Sequence, residues 1–163
     1  MMSVKRITVS KLCEACDISR STFYLYYDNV EDLTDYLERE LLYHTEKILK
    51  QEQHIPFEEL QNQTFTKLLQ YLETHKEEFL FLNSKKSQSD FSANLSVTIE
   101  RMLSNRLQFL GLQKQEYAIA ITFASAGILN LIMKQITTQP TINHPELCTA
   151  YNKLLLHIFK NSA

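Results

Sequence analysis

Two glycines and three prolines are all that interrupt 163 residues, and this scarcity limits the fold more than any motif does. The two types together make up about 3 % of the chain, against roughly 12 % in an average protein. Tight hairpin turns need residues that tolerate positive φ, glycine above all, or the fixed φ of proline. Phosphate-cradling loops need glycines that let the backbone approach a ligand. Hairpin-rich sheets, glycine-rich nucleotide loops and collagen-like repeats are therefore excluded. Helices remain, because a helix needs special turn chemistry only at its ends.

Apolar periodicity points the same way. Leu33, Leu37, Leu41, His44 and Ile48 recur at three- and four-residue steps, the face of a long amphipathic helix. Asn29 is suited to cap it, with Glu31 and Asp32 in the first turn where the helix dipole favours acids. Pro56 ends that pattern and can open a second helix to about His75, with Leu60, Phe65, Leu68 and Leu72 inward. A short helix over 76–82 follows, then the polar linker 83–89. A helix over 90–110 turns Leu95, Ile99, Met102, Leu103 and Leu107 inward and stops at Gly111. Residues 113–138 read as the most buried helix. The last begins at Asn143-His144-Pro145 and buries Leu147, Leu154, Leu155, Ile158 and Phe159. The expected fold is all-α: a short N-terminal segment over 1–28, then an antiparallel helical bundle over 29–163.

Net charge is −2, which argues mildly against nucleic acid as a partner. The average hides an asymmetry, because residues 1–84 carry 9 basic and 15 acidic side chains and residues 85–163 carry 8 and 4. Three cysteines, Cys13, Cys16 and Cys148, are too few for a disulfide framework and fit a reducing, cytoplasmic setting. Residues 117–133 form an uncharged run of 17. That is shorter than the roughly 20 residues a membrane span requires, and it contains Thr122, Ser125 and Asn130. A buried or dimer-facing helix is expected there, and no membrane partner.

Residues 7–33, ITVSKLCEACDISRSTFYLYYDNVEDL, behave differently. Thr8 can cap a two-turn helix, Asp17 breaks it, and Ser19 caps a restart. Two short helices joined by a tight turn make a helix-turn-helix. Phe23 and Tyr27 then lie one turn apart for the core, and Arg20, Ser21, Thr22, Tyr24 and Tyr26 face outward. Arginine pairs bidentately with guanine, and serine and threonine hydrogen-bond bases or phosphates. Thr8, Ser10 and Lys11 stand at the start of the first helix, where backbone N–H groups suit a phosphate. The candidate DNA-binding set is Thr8, Ser10, Lys11, Arg20, Ser21, Thr22, Tyr24 and Tyr26.

The segment resembles the TetR family of bacterial transcriptional regulators in Ile7-Thr8-Val9, Leu12, Cys16, Ile18-Ser19, Arg20-Ser21-Thr22-Phe23-Tyr24, Tyr26-Tyr27 and Glu31-Asp32-Leu33. It departs from the family at Asp17, where glycine usually turns the chain, at Val30, usually lysine, and at Leu25, often basic or polar. Family members also carry a further helix ahead of this motif, and six residues precede Ile7 here. The resemblance implies a homodimer that reads double-stranded DNA at a near-palindromic operator. A small-molecule effector or regulatory protein on the C-terminal bundle would control it, and the last two helices would pair across a two-fold axis. The family layout nominates Phe79, Leu103 and Phe123 for an effector pocket. Ala120, Ala124, Gly127, Leu131, Leu155 and Phe159 are nominated for the dimer face, small residues on the first of these helices permitting close contact.

Other residues are read more plainly. Cys13 and Cys16 form a CxxC without the second pair a zinc site needs, so both are expected as small core residues. The five histidines form no ligand spacing, and His44 is expected in the core. No nucleophile–base pair is visible, so neither an enzyme nor a cofactor is expected. The alternative is a helical sensor that dimerises and binds a protein partner but has lost DNA binding. Val30, Leu25 and the acidic N-terminal half motivate it, and residues 1–30 net only +1, from Lys5, Arg6, Lys11 and Arg20 against Glu14, Asp17 and Asp28.

Overall fold

Oxygen-bearing side chains mark where the helices begin. In the computed structural model, Thr8 Oγ1 accepts from Lys11 N–H at 3.3 Å and opens α1 (Val9–Ala15). Ser19 Oγ accepts from Thr22 N–H at 3.0 Å and opens α2 (Arg20–Tyr24). Asn29 Oδ1 accepts from Asp32 N–H at 2.8 Å and opens α3 (Val30–Lys50). Each cap satisfies a backbone donor that the first helical turn leaves without a partner. The structure describes residues 7–50, 63–84, 89–109, 111, 115, 117–137 and 143–160. The remaining elements are α4 (Gln63–Thr74), α5 (Lys76–Leu82), α6 (Phe91–Phe109), α7 (Ala118–Thr137) and α8 (His144–Lys160). Asn143 Oδ1 caps α8 by accepting from Glu146 N–H at 3.0 Å. Among the described residues there are eight helices and no strand, so the protein is all-α.

Punctuation falls where turn chemistry requires it. Asp17 has φ 52°, the left-handed conformation that lets the chain reverse between α1 and α2. Gly111 has φ 77° and follows α6 as its stop. The expected start of the second helix at Pro56, with Leu60 inward, lies outside the described residues, as do Lys85 and Lys86 of the linker.

The helix α6 is the hub. It packs on α3 and on α7, while α4 packs on α3 and α8. Phe91, Leu95, Ile99, Leu103 and Leu107, each four residues from the next, are all fully buried. Phe65, Leu68, Leu69 and Leu72 of α4, and Ile121, Ile128, Ile132 and Ile136 of α7, join them in one hydrophobic cluster.

The inward face of α3 is rotated by about one residue from expectation, and α8 and α7 depart from it in part. On α3 the buried positions are Thr34, Leu41, Thr45 and Leu49, while Leu33, Leu37 and Ile48 are half-buried and His44 is exposed. Threonine is small enough to bring α3 close to its neighbours, and Thr34 satisfies its hydroxyl by donating to Val30 O at 3.0 Å. His44 is thus not a core residue; its Nε2 lies 3.7 Å from Glu40 Oε2 on the surface. On α8, Leu147, Cys148, Tyr151, Leu155 and Phe159 face inward, and Leu154 is 51 % exposed. On α7 one face is buried, but Ile119 and Phe123 stand 87 % and 67 % exposed. Among the described residues α7 is the one helix long and apolar enough to cross a membrane by length and composition. Its inward face, from Ile121 to Ile136, is buried in the helical core.

Two buried groups on α8 make stability depend on pH. Burial pushes the Cys148 thiol up from its ordinary 9.0, partly offset by a 3.1 Å hydrogen bond with Thr66 Oγ1. Burial likewise holds the Tyr151 phenol far above its ordinary 10.0, against a smaller opposing pull from Arg106. Both stay protonated when folded and ionise at their ordinary values once unfolded. The stability they contribute is therefore complete below those ordinary values and is lost as pH rises past them. Urea denaturation is expected to show a steady loss of stability above pH ~9–10, less steep in Tyr151→Phe.

Candidate nucleic-acid interface and bundle cavity

The helices α1 and α2 form a small head with a minimal interior. Cys13 and Phe23, each 4 % exposed, are its buried apolar side chains. The turn between the helices closes through Ile18 N–H to Cys13 O at 3.0 Å, and the Cys13 thiol reaches Ser19 O at 3.8 Å. Phe23 meets Tyr27 with ring centroids 5.6 Å apart, and Tyr27 meets Tyr36 of α3 at the same distance. This aromatic run anchors the head to the long helix. Partial burial, then the neighbouring Tyr36 and Asp32, raise the Tyr27 phenol, so it remains a neutral donor. Cys16 is exposed rather than a core residue, because it lies past the last turn of α1.

All eight side chains nominated for DNA contact lie on the outside of this head. Thr8, Ser10, Lys11, Arg20, Ser21 and Thr22 are exposed, with Tyr24 at 49 % and Tyr26 at 74 %. The Arg20 guanidinium lies 6.0 Å from the centroid of the Tyr24 ring, one helical turn further on. Ser19 Oγ shares hydrogen bonds with Ser21 Oγ at 2.7 Å and Thr22 Oγ1 at 2.8 Å, so three hydroxyls cluster at the start of α2. Leu25, at 78 % exposure, adds an apolar side chain beside them. The electrostatics are sparse: over residues 7–28, Lys11 and Arg20 stand against Glu14, Asp17 and Asp28.

The residues nominated for an effector pocket do not come together. Phe79 is fully buried, edge-on to Phe91 with centroids 5.6 Å apart. Phe123 points to solvent, because it falls on the outer side of α7. Leu103 alone of the three lines a cavity, a narrow slot between α3, α4, α6, α7 and α8. That slot also receives Arg106, 3 % exposed, and Tyr151, 9 % exposed. Sequence reasoning missed both. Their signal was a cation and a phenol at core spacing, three residues after Leu103 and four before Leu155.

The dimer nominations also divide. Ala124, Leu155 and Phe159 are buried in the chain's own core and are not available to a partner. Ala120 and Leu131 are half-buried, and Gly127 is exposed. The exposed apolar face of α7 is carried instead by Ile119 and Phe123. Among the described residues no group of three His, Cys, Asp or Glu side chains could hold a metal ion. Comparison with protein-family models, with curated proteins and with solved structures finds no match for this chain.

The cap at Ser19 holds the start of α2 and orients Arg20 to Thr22. Ser19→Ala is expected to cost about 1 kcal/mol in the stability of the head, and Ser19→Asp to retain most of it. Hydrogen exchange at the α2 amides, compared with those of α6, checks both and separates a local loss from a global one.

Proposed function

We propose that the protein is a DNA-binding transcriptional regulator of the TetR type, acting in the cytoplasm as a homodimer. In this reading α1 and α2 are a helix-turn-helix and α2 enters the major groove. Arg20 reads a guanine edge, and Ser21 and Thr22 contact bases or phosphates. Thr8, Ser10, Lys11, Tyr24 and Tyr26 hold the phosphate backbone. The observation that carries the reading is the exposure of all eight side chains on a head whose buried apolar residues are Cys13 and Phe23. A surface built of arginine, hydroxyls and tyrosines offers the donors that groove recognition requires.

Dimerisation runs through the last two helices. The exposed Ile119 and Phe123 of α7, with Gly127 permitting close approach, and the exposed Leu154 of α8 form the contact. Two heads set one helical turn of DNA apart, roughly 34–36 Å, then read two half-sites. An effector or partner protein on the bundle changes that spacing and so the affinity.

A second reading has its own support, the excess of acid over base on residues 7–28. It makes the protein a dimeric sensor that binds a protein partner and no longer binds DNA. Selection of the full chain against random duplexes separates the two. The first reading expects enrichment of a near-palindrome, and a complete lack of enrichment overturns it. Arg20→Ala is expected to cost about 1–3 kcal/mol at one base position and to relax preference there, measured by competition with single-base variants of the selected duplex.

A further inference from the structure

Two thiols, Cys13 and Cys16, flank the turn that shapes the head. The end of α1 closes through Ile18 N–H to Cys13 O at 3.0 Å and Asp17 N–H to Glu14 O at 3.4 Å. This is a Schellman closure, with Cys16 as the cap residue before the left-handed Asp17. Cys16 is exposed and Cys13 is buried. The Cys13 thiol donates to Ser19 O at 3.8 Å, the carbonyl that also accepts from Phe23 N–H at 3.1 Å. One sulfur therefore stands at the surface, and the other holds α1 to the start of α2.

Helix geometry brings the pair within reach of each other. The chain is helical up to Ala15, and Cys16 N–H still donates to Leu12 O at 2.9 Å. At that spacing the two Cα atoms are about 5 Å apart, inside the roughly 4.4–6.8 Å that a disulfide spans. A disulfide also needs Cβ atoms about 3.8 Å apart, and helical neighbours at this spacing keep theirs about 5–6 Å apart. Closing that gap draws the Cys13 sulfur away from α2 and removes the proton it donates to Ser19 O. Cys13 and Phe23 are the buried apolar side chains of the head. So small an interior opens locally to let the bond form, and holds α2 weakly once one of the two has been displaced.

We propose that Cys13 and Cys16 form a thiol–disulfide modification site whose oxidised form unseats α2. The co-reactant is a low-molecular-weight disulfide, such as glutathione disulfide. The Cys16 thiolate attacks one of its sulfurs, the S–S bond breaks, and one glutathione leaves as its thiolate. The Cys13 thiolate then attacks the Cys16 sulfur of the mixed disulfide and expels the second glutathione. Two protein thiols are oxidised and one glutathione disulfide is reduced, and the two cysteine protons end on the two glutathione thiols. The second step is intramolecular, which favours the internal pair over the mixed disulfide. A disulfide that strains its surroundings is also easily reduced, so the change is reversible. Its consequence for DNA rests on the reading of the head as DNA-binding; the modification itself does not.

Equilibration of the full chain in glutathione buffers of graded disulfide-to-thiol ratio, followed by alkylation and tryptic mapping, tests the proposal. Both cysteines fall in the tryptic peptide 12–20, which is expected to become lighter by two hydrogens. Cys148, 0 % exposed in the bundle core, is expected to stay reduced. In the oxidised chain the α2 amides are expected to exchange hydrogen at least about tenfold faster, with those of α6 unchanged. Dithiothreitol is expected to restore the reduced pattern. Cys16→Ser, a change at an exposed position, is expected to keep slow α2 exchange in every buffer. A persistent mixed disulfide on Cys16, a disulfide between chains, or no modification at the most oxidising ratio each overturns the proposal. Unaltered α2 exchange in the paired form, or equally fast exchange in oxidised Cys16→Ser, overturns it too. Pairing with faster α2 exchange, in a chain whose reduced form enriches no duplex, supports the site and overturns the DNA reading. An enriched duplex bound by a chain that never pairs does the reverse. An enriched duplex bound equally by the reduced and paired forms overturns the link between them alone.

Discussion

Everything else in the molecule leans on the line Phe91, Leu95, Ile99, Leu103 and Leu107 along α6. Each of these side chains is at most 1 % exposed, and burial of such a residue is worth about 1.5–3 kcal/mol relative to leaving it in water. Because the line runs the length of one helix, α6 can hold α3 on one side and α7 on the other. The long helix α3 owes its position to that contact, and the head owes its position to α3. Polar latches reinforce the same seam. Glu38 accepts from Ser89 Oγ and from Asn94 Nδ2, both at 2.6 Å, and Glu46 pairs with Arg101. The neighbouring Lys50 and Arg101 hold the Glu46 carboxyl below its ordinary range.

The head is built on a different principle. It has little interior, so its shape depends on local devices: the caps at Thr8 and Ser19, the left-handed Asp17, and the packing of Phe23 on Tyr27 and Tyr27 on Tyr36. Such a unit belongs to the low-stability end of a protein. The bundle supplies the rigidity that sets where the head stands.

Local chemistry was legible in the sequence, and the direction of each helix face was less so. Thr8, Ser19, Asn29 and Asn143 announce their caps, and Gly111 its stop, because a side chain bonding three residues on needs no knowledge of the fold. The face of α3 needs that knowledge. The stripe through Leu33, Leu37 and His44 is as regular as the buried line through Thr34, Leu41 and Thr45, and only the neighbours decide which turns inward. Phe123 fails for a related reason, since an apolar residue is not obliged to be buried. The slot was hidden because Arg106 and Tyr151 belong to helices far apart in sequence, and each alone reads as one polar interruption of an apolar face.

The central claim, that the head carries DNA through side chains of modest charge, is tested most directly by salt. Neutralising phosphates releases counterions, so log K falls with log salt at a slope of about −0.9 per phosphate contacted by a cation. With Arg20 on a base edge, Lys11 on each of two heads gives an expected slope of roughly −2 for a selected duplex. An affinity for that duplex that does not change with salt would contradict the account.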